Sequence, residues 1–323
     1  MRYVTTSGDT CRRHPCRGPA GATLIELVVV MSVLGIIAAV AAIMLRDPIS
    51  AYGLTARRAE LVDVADTALR RMGRDIRLAL PNSLRTATAG ATTYLELLST
   101  KTGGRYRAQL DSTTSTGDIL DFSAADTAFD TLGPLSTVTG QTIGTGDILV
   151  VQNLFAAPAQ SQSNAYTYNQ AGSNCTSATP SSATCNTARI TGSDTAGVRP
   201  SERHIGFDSR QFPLTSPGNR FNVMPQFPAV TYVCPTTAAT DASGNGTGTL
   251  TRISNYAITL AQPQPPAGTS ALLAKYVTAC QITYDQAGPS VTQSHGLVSV
   301  KLSLTRGGET VTLYHEVHVD NVP

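Results

Sequence analysis

The sequence predicts an α+β fold, a long N-terminal helix packed on an antiparallel β-sheet domain. Three observations lead there. Residues 22–45 form an apolar run with one charge, Glu26. Residues 54–80 place apolar side chains at helical spacing. From about residue 91 to the C-terminus the apolar pattern takes a period of two, the signature of strands with one buried face.

Composition frames these elements. The chain has 323 residues, enough for one large domain or two small ones. Only 14% of them are charged, against about 25% in an ordinary soluble domain. Ser, Thr, Ala and Gly make up the difference and Trp is absent, which reads as an exported protein with a soft polar surface. The formal net charge is +2. Arg2, Arg12, Arg13 and Arg17 oppose Asp9 in the first 21 residues, so the remainder is close to neutral. Bulk charge therefore predicts no nucleic-acid partner.

The first element is Ala22 to Leu45. As a helix, 24 residues reach about 36 Å, enough for a bilayer core of roughly 30 Å. The basic flank keeps the N-terminus cytoplasmic and exports the bulk of the chain. A cleaved secretory signal has a candidate site in "AAVAA" (Ala38–Ala42), but the apolar run is too long for one. A plain signal anchor explains the length and leaves Glu26 unexplained. Cleavage before the apolar run, after Gly21, explains both and makes Glu26 the fifth residue of the mature chain.

The stretch Gly21-Ala22-Thr23-Leu24-Ile25-Glu26-Leu27 resembles the type IV prepilin signature G-F-T-L-I-E, with Ala22 where Phe is usual. The resemblance implies processing between Gly21 and Ala22 by a prepilin peptidase on the cytoplasmic face and N-methylation of the new terminus. It also implies an inner-membrane assembly platform, and other major and minor pilins as partners through the N-terminal helix. The physics of Glu26 agrees, because an ionised carboxylate in hydrocarbon is costly unless paired. Cleavage creates a positive α-amino group nearby, on the same subunit or a neighbour. The plainer alternative is that Glu26 reaches the headgroup region.

The second element follows Asp47-Pro48, where a proline kinks a helix or ends it. Leu61, Ala65, Ala68, Met72, Ile76 and Ala79 then form one amphipathic stripe. Asp66 pairs with Arg70 at i, i+4. Arg70, Arg71, Arg74 and Arg77 gather at the C-terminal end, where the helix dipole favours cations. They read as a solvated or subunit-facing surface rather than a ligand patch. Pro81 stops the helix. The domain plan is a leader over 1–21, a transmembrane and filament-core helix over 22–46, its amphipathic second half over 47–80, and a globular periplasmic domain over 81–323.

Strands are predicted at 92–100, 116–122, 145–151, 228–234, 250–260 and 276–285. A closing hairpin turns at Gly307-Gly308. Residues 157–200 are rich in Ala, Ser, Thr, Gln, Asn and Gly and read as a long surface loop that buries little. Cys175, Cys185, Cys234 and Cys280 follow the apolar run, and in an exported segment they imply two disulfides. Three connectivities exist. The favoured one is Cys175–Cys185, closing a short loop, with Cys234–Cys280. A zinc site lacks its usual close Cys spacing.

No other chemistry emerges. His315 and His318 in "HEVH" are three apart in a predicted strand and so face opposite sides. The stretch from Asp241, "DASGNGTGTL", has Arg252 where a calcium loop needs Glu, and reads as a Gly-rich hairpin tip. Asn174-Cys175-Thr176 fits a glycosylation sequon, discounted because a prepilin implies a prokaryote. No nucleophile elbow, phosphate loop or dinucleotide fingerprint is present. The expectation is a non-enzymatic protein without cofactor or metal.

Residues 58–83, 219–234, 277–285 and 297–323 are together similar to the O-type minor pilins of the mannose-sensitive haemagglutinin pilus. That resemblance implies a role in assembly or tip formation. It implies a single-pass inner-membrane protein whose domain lies in the periplasm and later at the pilus or cell surface. The first-helix pattern is shared with J-type pseudopilins of type II secretion. A surface adhesin or ligand-binding module displayed by the anchor is the alternative in another class.

Overall fold

The computed structural model describes residues 21, 23–156, 163–170, 175, 185–194, 201–285 and 295–322. The leader other than Gly21, together with Ala22, Asn174 and Thr176, lies outside the described residues. The chain divides into two compact units, Met1–Thr55 and Ala56–Pro323.

Helix α1 (Leu24–Arg77) is 54 residues long. It does not end at Asp47-Pro48, the first place where the sequence allowed a stop. A proline inside a helix removes one backbone hydrogen bond, and the helix continues through it to Arg77. In the first unit the helix exposes its apolar side chains, among them Leu24, Ile36 and Met44.

The second unit is α+β. Its strands are β1 (Arg85–Ala89), β2 (Thr92–Leu98), β3 (Thr102–Arg105), β4 (Asp126–Asp130), β5 (Ile148–Val150), β6 (Thr187–Asp194), β7 (His204–Arg210), β8 (Arg220–Met224), β9 (Ala229–Pro235), β10 (Gly248–Tyr256), β11 (Thr269–Asp285), β12 (His295–Arg306) and β13 (Glu309–Asp320). Seven form one antiparallel sheet in the order β1-β2-β9-β10-β11-β12-β13. The other six form a second antiparallel sheet, β3-β8-β5-β6-β7-β4. All of the second sheet is inserted between β2 and β9, which are neighbours in the first.

The stripe on α1 makes the main core. Leu61, Ala65, Ala68, Met72 and Ile76 are all buried against the seven-stranded sheet, while Ala79, past the helix end, is only partly so. Each large apolar side chain so buried contributes roughly 1.5–3 kcal/mol. Gly73 lies on the same face because a Cβ there would come 3.1 Å from His315 Nε2. Polar contacts fix the docking. Asp75 Oδ2 accepts from Arg252 Nε at 2.7 Å and from the Tyr232 hydroxyl at 2.8 Å. Arg306 Nη1 donates to Glu60 Oε2 at 2.6 Å. The i, i+4 pair Arg70–Asp66 forms at 2.6 Å on the exposed side.

The closing hairpin turns on Gly307 and Gly308, with φ of +57° and +78°. Both central residues of a type I′ turn need positive φ. Residues from Asp241 pack beside this turn. Asp241 Oδ1 accepts from the Ser243 and Asn245 amides, and the Gly308 amide donates to Gly244 O at 2.9 Å. This is a tight Asx-type turn, not an open cation loop. Disulfides join Cys234 to Cys280 and Cys175 to Cys185, with Cα atoms 5.5 and 5.4 Å apart.

One strand expectation and one loop expectation fail. Residues 116–122 are not a strand. Asp121 Oδ1 takes the Ser123 amide and Asp126 Oδ2 takes the Asp121 amide, and such local side-chain bonds compete with a sheet ladder. The reading of 157–200 as a loop that buries little also fails where it is described. Residues 163–167 are buried, with a 3-10 turn at Ala165–Thr167 capped by Asn164, and residues 187–194 form β6. Asn164 Oδ1 accepts from the Tyr166 amide and the Thr167 hydroxyl donates to Asn164 O, so small polar residues are buried here with local partners and composition misjudges burial.

Candidate functional site

The candidate site is the start of α1. Gly21 and Thr23 precede the helix and are exposed, and Leu24 opens it. Thr23 caps it. Its hydroxyl oxygen accepts from the Glu26 amide at 3.3 Å, and its carbonyl accepts from the Leu27 amide at 3.2 Å. Thr23-Leu24-Ile25-Glu26 has the spacing of a capping box, a signal legible in the sequence that the reading above did not use. Glu26 thereby occupies the first turn, where free backbone N–H groups and the positive end of the helix dipole favour a carboxylate.

Downstream, Leu24–Met44 is long and apolar enough to cross a membrane, 21 residues with mean hydropathy 2.9, and none of it is buried within the molecule. Its length as a helix is about 32 Å. The one hydroxyl inside it that would oppose insertion, Ser32, donates to Val28 O at 2.8 Å. Apart from Glu26 at its start, this is an apolar helix without protein cover, suited to lipid or to packing with other such helices.

The other polar clusters hold the fold. Glu96 is fully buried, and Arg85 donates to its Oε1 from Nη2 at 2.7 Å and to the carbonyls of Thr259 and Leu260. The Arg85 guanidinium lies 3.6 Å from the Tyr166 ring centroid. Burial holds the Glu96 pKa above the ordinary glutamate value, with Arg85 pulling it back down. Burial also raises the hydroxyls of Tyr166 and Tyr256, with the Glu96 charge adding to the effect. Closed to solvent and knitted to main-chain carbonyls, this cluster clamps residues 163–168 to β1 and β2. Between β3 and β4, Arg107 pairs at 2.7 Å with Glu202, which precedes β7, both side chains about 5% exposed.

His204 Nδ1 lies 3.0 Å from Asp130 Oδ1 and 3.7 Å from Asp118 Oδ2. Burial raises the Asp118 pKa, and Asp126 adds to it. Among the described residues no group of three or more His, Cys, Asp or Glu side chains could hold a metal ion. His315 sits on the helix-facing side of β13 and His318 on its exposed side.

The family model of the prokaryotic N-terminal methylation motif matches residues 16–42. No curated protein and no solved structure matches the chain. The motif covers Gly21, Thr23 and Glu26 and most of the apolar helix. It implies processing by prepilin peptidase and assembly with other pilins, and it points to a structural protein. The chain thus carries the prokaryotic N-terminal methylation motif, set on the capped start of a single helix able to anchor an α+β domain in a membrane.

Proposed function

We propose that the chain is a minor pilin. Prepilin peptidase cuts it between Gly21 and Ala22, the new terminus is methylated, and the N-terminal helix carries it into a type IV pilus of the mannose-sensitive haemagglutinin kind, at or near the tip. Before assembly it spans the inner membrane once with its domain in the periplasm. The observation that carries this reading is the methylation-motif match over residues 16–42, laid over a helix whose apolar side chains have no cover in the chain itself. The similarity of the residues at both ends of the chain to O-type minor pilins supports the finer assignment.

In this reading Glu26 has two successive roles. In the uncleaved chain it complements the N-terminal end of the helix beside its cap, Thr23. After cleavage it lies close to a new α-ammonium group, and a pair between subunits selects their register in the membrane. The Glu26→Gln variant, expressed with the pilus machinery, tests this. Cleavage should remain and incorporation into sheared filaments should fall steeply. Normal incorporation contradicts the assembly role.

A further inference from the structure

Strand β11 is 17 residues long, and its two halves have different neighbours. On one side β10 pairs with it from Thr269 to Val277. On the other, β12 pairs only from Val277 to Asp285, because the chain reverses at Gly307-Gly308. Among the described residues no strand pairs with the second side of Thr269–Lys275. Alternate residues of a strand direct their N–H and C=O groups to one side, so this stretch offers a free ladder.

Its exposure is unusual for a strand. Thr269, Ser270, Ala271 and Leu272 are exposed in succession, so both faces as well as the edge are open, and Leu272 is 50% exposed. The features that usually blunt an edge are proline, inward charge or a bulge. None interrupts Thr269–Leu272. Two bulges come afterwards, one at Leu273, the extra residue between the Leu272–Thr251 and Ala274–Leu250 pairs, and one where Lys275 and Tyr276 together oppose Thr249 and Tyr276 takes φ +63°.

A groove of about 320 Å³ runs along this open side, between Glu60, Leu61 and Val64 of α1 and residues 272–276 of β11, and Arg306 closes it at the end of β12. That is where a continuation of β12 would lie. Leu61, Val64 and Leu272 give it apolar walls. At its closed end Arg306 is held by Glu60 and sits 5.4 Å over the Tyr276 ring. Lys275 is exposed and has no ion-pair partner among the described residues.

We propose that the Thr269–Leu272 edge docks an extended, proline-free strand of another protein, with one apolar side chain in the groove and a carboxylate reaching Lys275 just past the first bulge. Main-chain bonds supply the attachment and the groove selects the side chain. Charge decides against a second copy. The segment Thr269–Lys275 contains no carboxylate, so self-pairing across this edge leaves both Lys275 ammonium groups unmatched. The inference does not depend on which filament the chain enters.

The test is selection of displayed random peptides on the full chain in detergent, followed by binding of the selected peptide in synthetic form. The enriched peptides should alternate apolar residues, lack proline and carry Asp or Glu. Backbone N-methylation of the synthetic peptide should weaken binding on the order of tenfold, the effect of one or two lost hydrogen bonds. Lys275→Glu, at an exposed position, should weaken it similarly, and replacing the peptide's acid by Lys should restore it. Three results overturn the proposal. One is no enrichment over a column without the protein. Another is binding indifferent to both N-methylation and Lys275→Glu. The third is pairing of two copies through this edge in sedimentation, which makes the occupant a second copy.

Discussion

From Leu24 to Met44 helix α1 leaves its apolar side chains exposed, whereas from Leu61 to Ile76 the same helix buries a stripe against the seven-stranded sheet. The backbone is the same and the patterns differ. The first stretch is apolar all round, so no single face could satisfy it. The second repeats at three and four residues with Arg70, Arg74 and Asp66 on its outer side, so one sheet suffices. What a helix packs on is set by its periodicity, not by its hydrophobicity alone.

Charges placed in the two stretches should separate them most. Ile76→Asp puts an unpaired carboxylate in the core and should cost on the order of 4 kcal/mol or more, read as lost cooperative melting of the domain. Ile36→Asp should leave that melting unchanged and lower membrane insertion instead, by about 3 kcal/mol on insertion scales. Equal effects on domain melting would erase the distinction.

The disulfides sharpen it within the second unit. Cys234–Cys280 closes a span of 46 residues and Cys175–Cys185 a span of 10. From loop length alone, replacing the first pair by alanines should cost about 4 kcal/mol and the second about 3 kcal/mol, checked by denaturant titration. A larger loss from the shorter loop would mean that the clamp of residues 163–168 depends on that bridge.

A smaller effect returns to the first stretch. Thr23→Ala removes the cap and should cost about 1 kcal/mol. The Glu26 amide should exchange roughly five times faster in detergent while the domain melts as before. An unchanged rate would show that the cap contributes nothing.

The smallest effect is one of pH. The folded pKa of Glu96 is raised above its ordinary 4.5, so the folded chain holds this proton more tightly than the unfolded one. Its contribution to stability is therefore fullest below 4.5 and declines as pH rises through the folded value. The stability difference between the native chain and Glu96→Gln should shrink across that window and stay flat above it. A pH-independent difference would refute the role of burial.

Much of the first sheet was legible. The α1 stripe, the strands at 92–98 and 229–235, and the Gly-Gly hairpin all follow from periodicity and turn chemistry. Of the second sheet only β5 (Ile148–Val150), within the strand expected at 145–151, was legible, because the other strands do not look like strands. β3 is Thr102-Gly103-Gly104-Arg105, and a Cβ on Gly103 would come 2.8 Å from Phe221 O, so glycine serves close strand approach where composition suggests a turn. β6 begins with buried Thr187 and Ala188 inside a stretch of small polar residues. In the candidate site Gly21 and Ala22 stand out in the sequence as the expected cut site and Glu26 as the one charge, while the Thr23–Glu26 capping box, equally readable, is masked by that conspicuous charge in an apolar run.

The most direct measurement is the N-terminal mass of the chain produced with and without prepilin peptidase. The account predicts that the peptidase removes residues 1–21 and leaves a chain starting at Ala22 with one added methyl group, and that Met1 is retained without it. An unchanged N-terminus in the presence of active peptidase, or a cut near Ala38–Ala42, would contradict it.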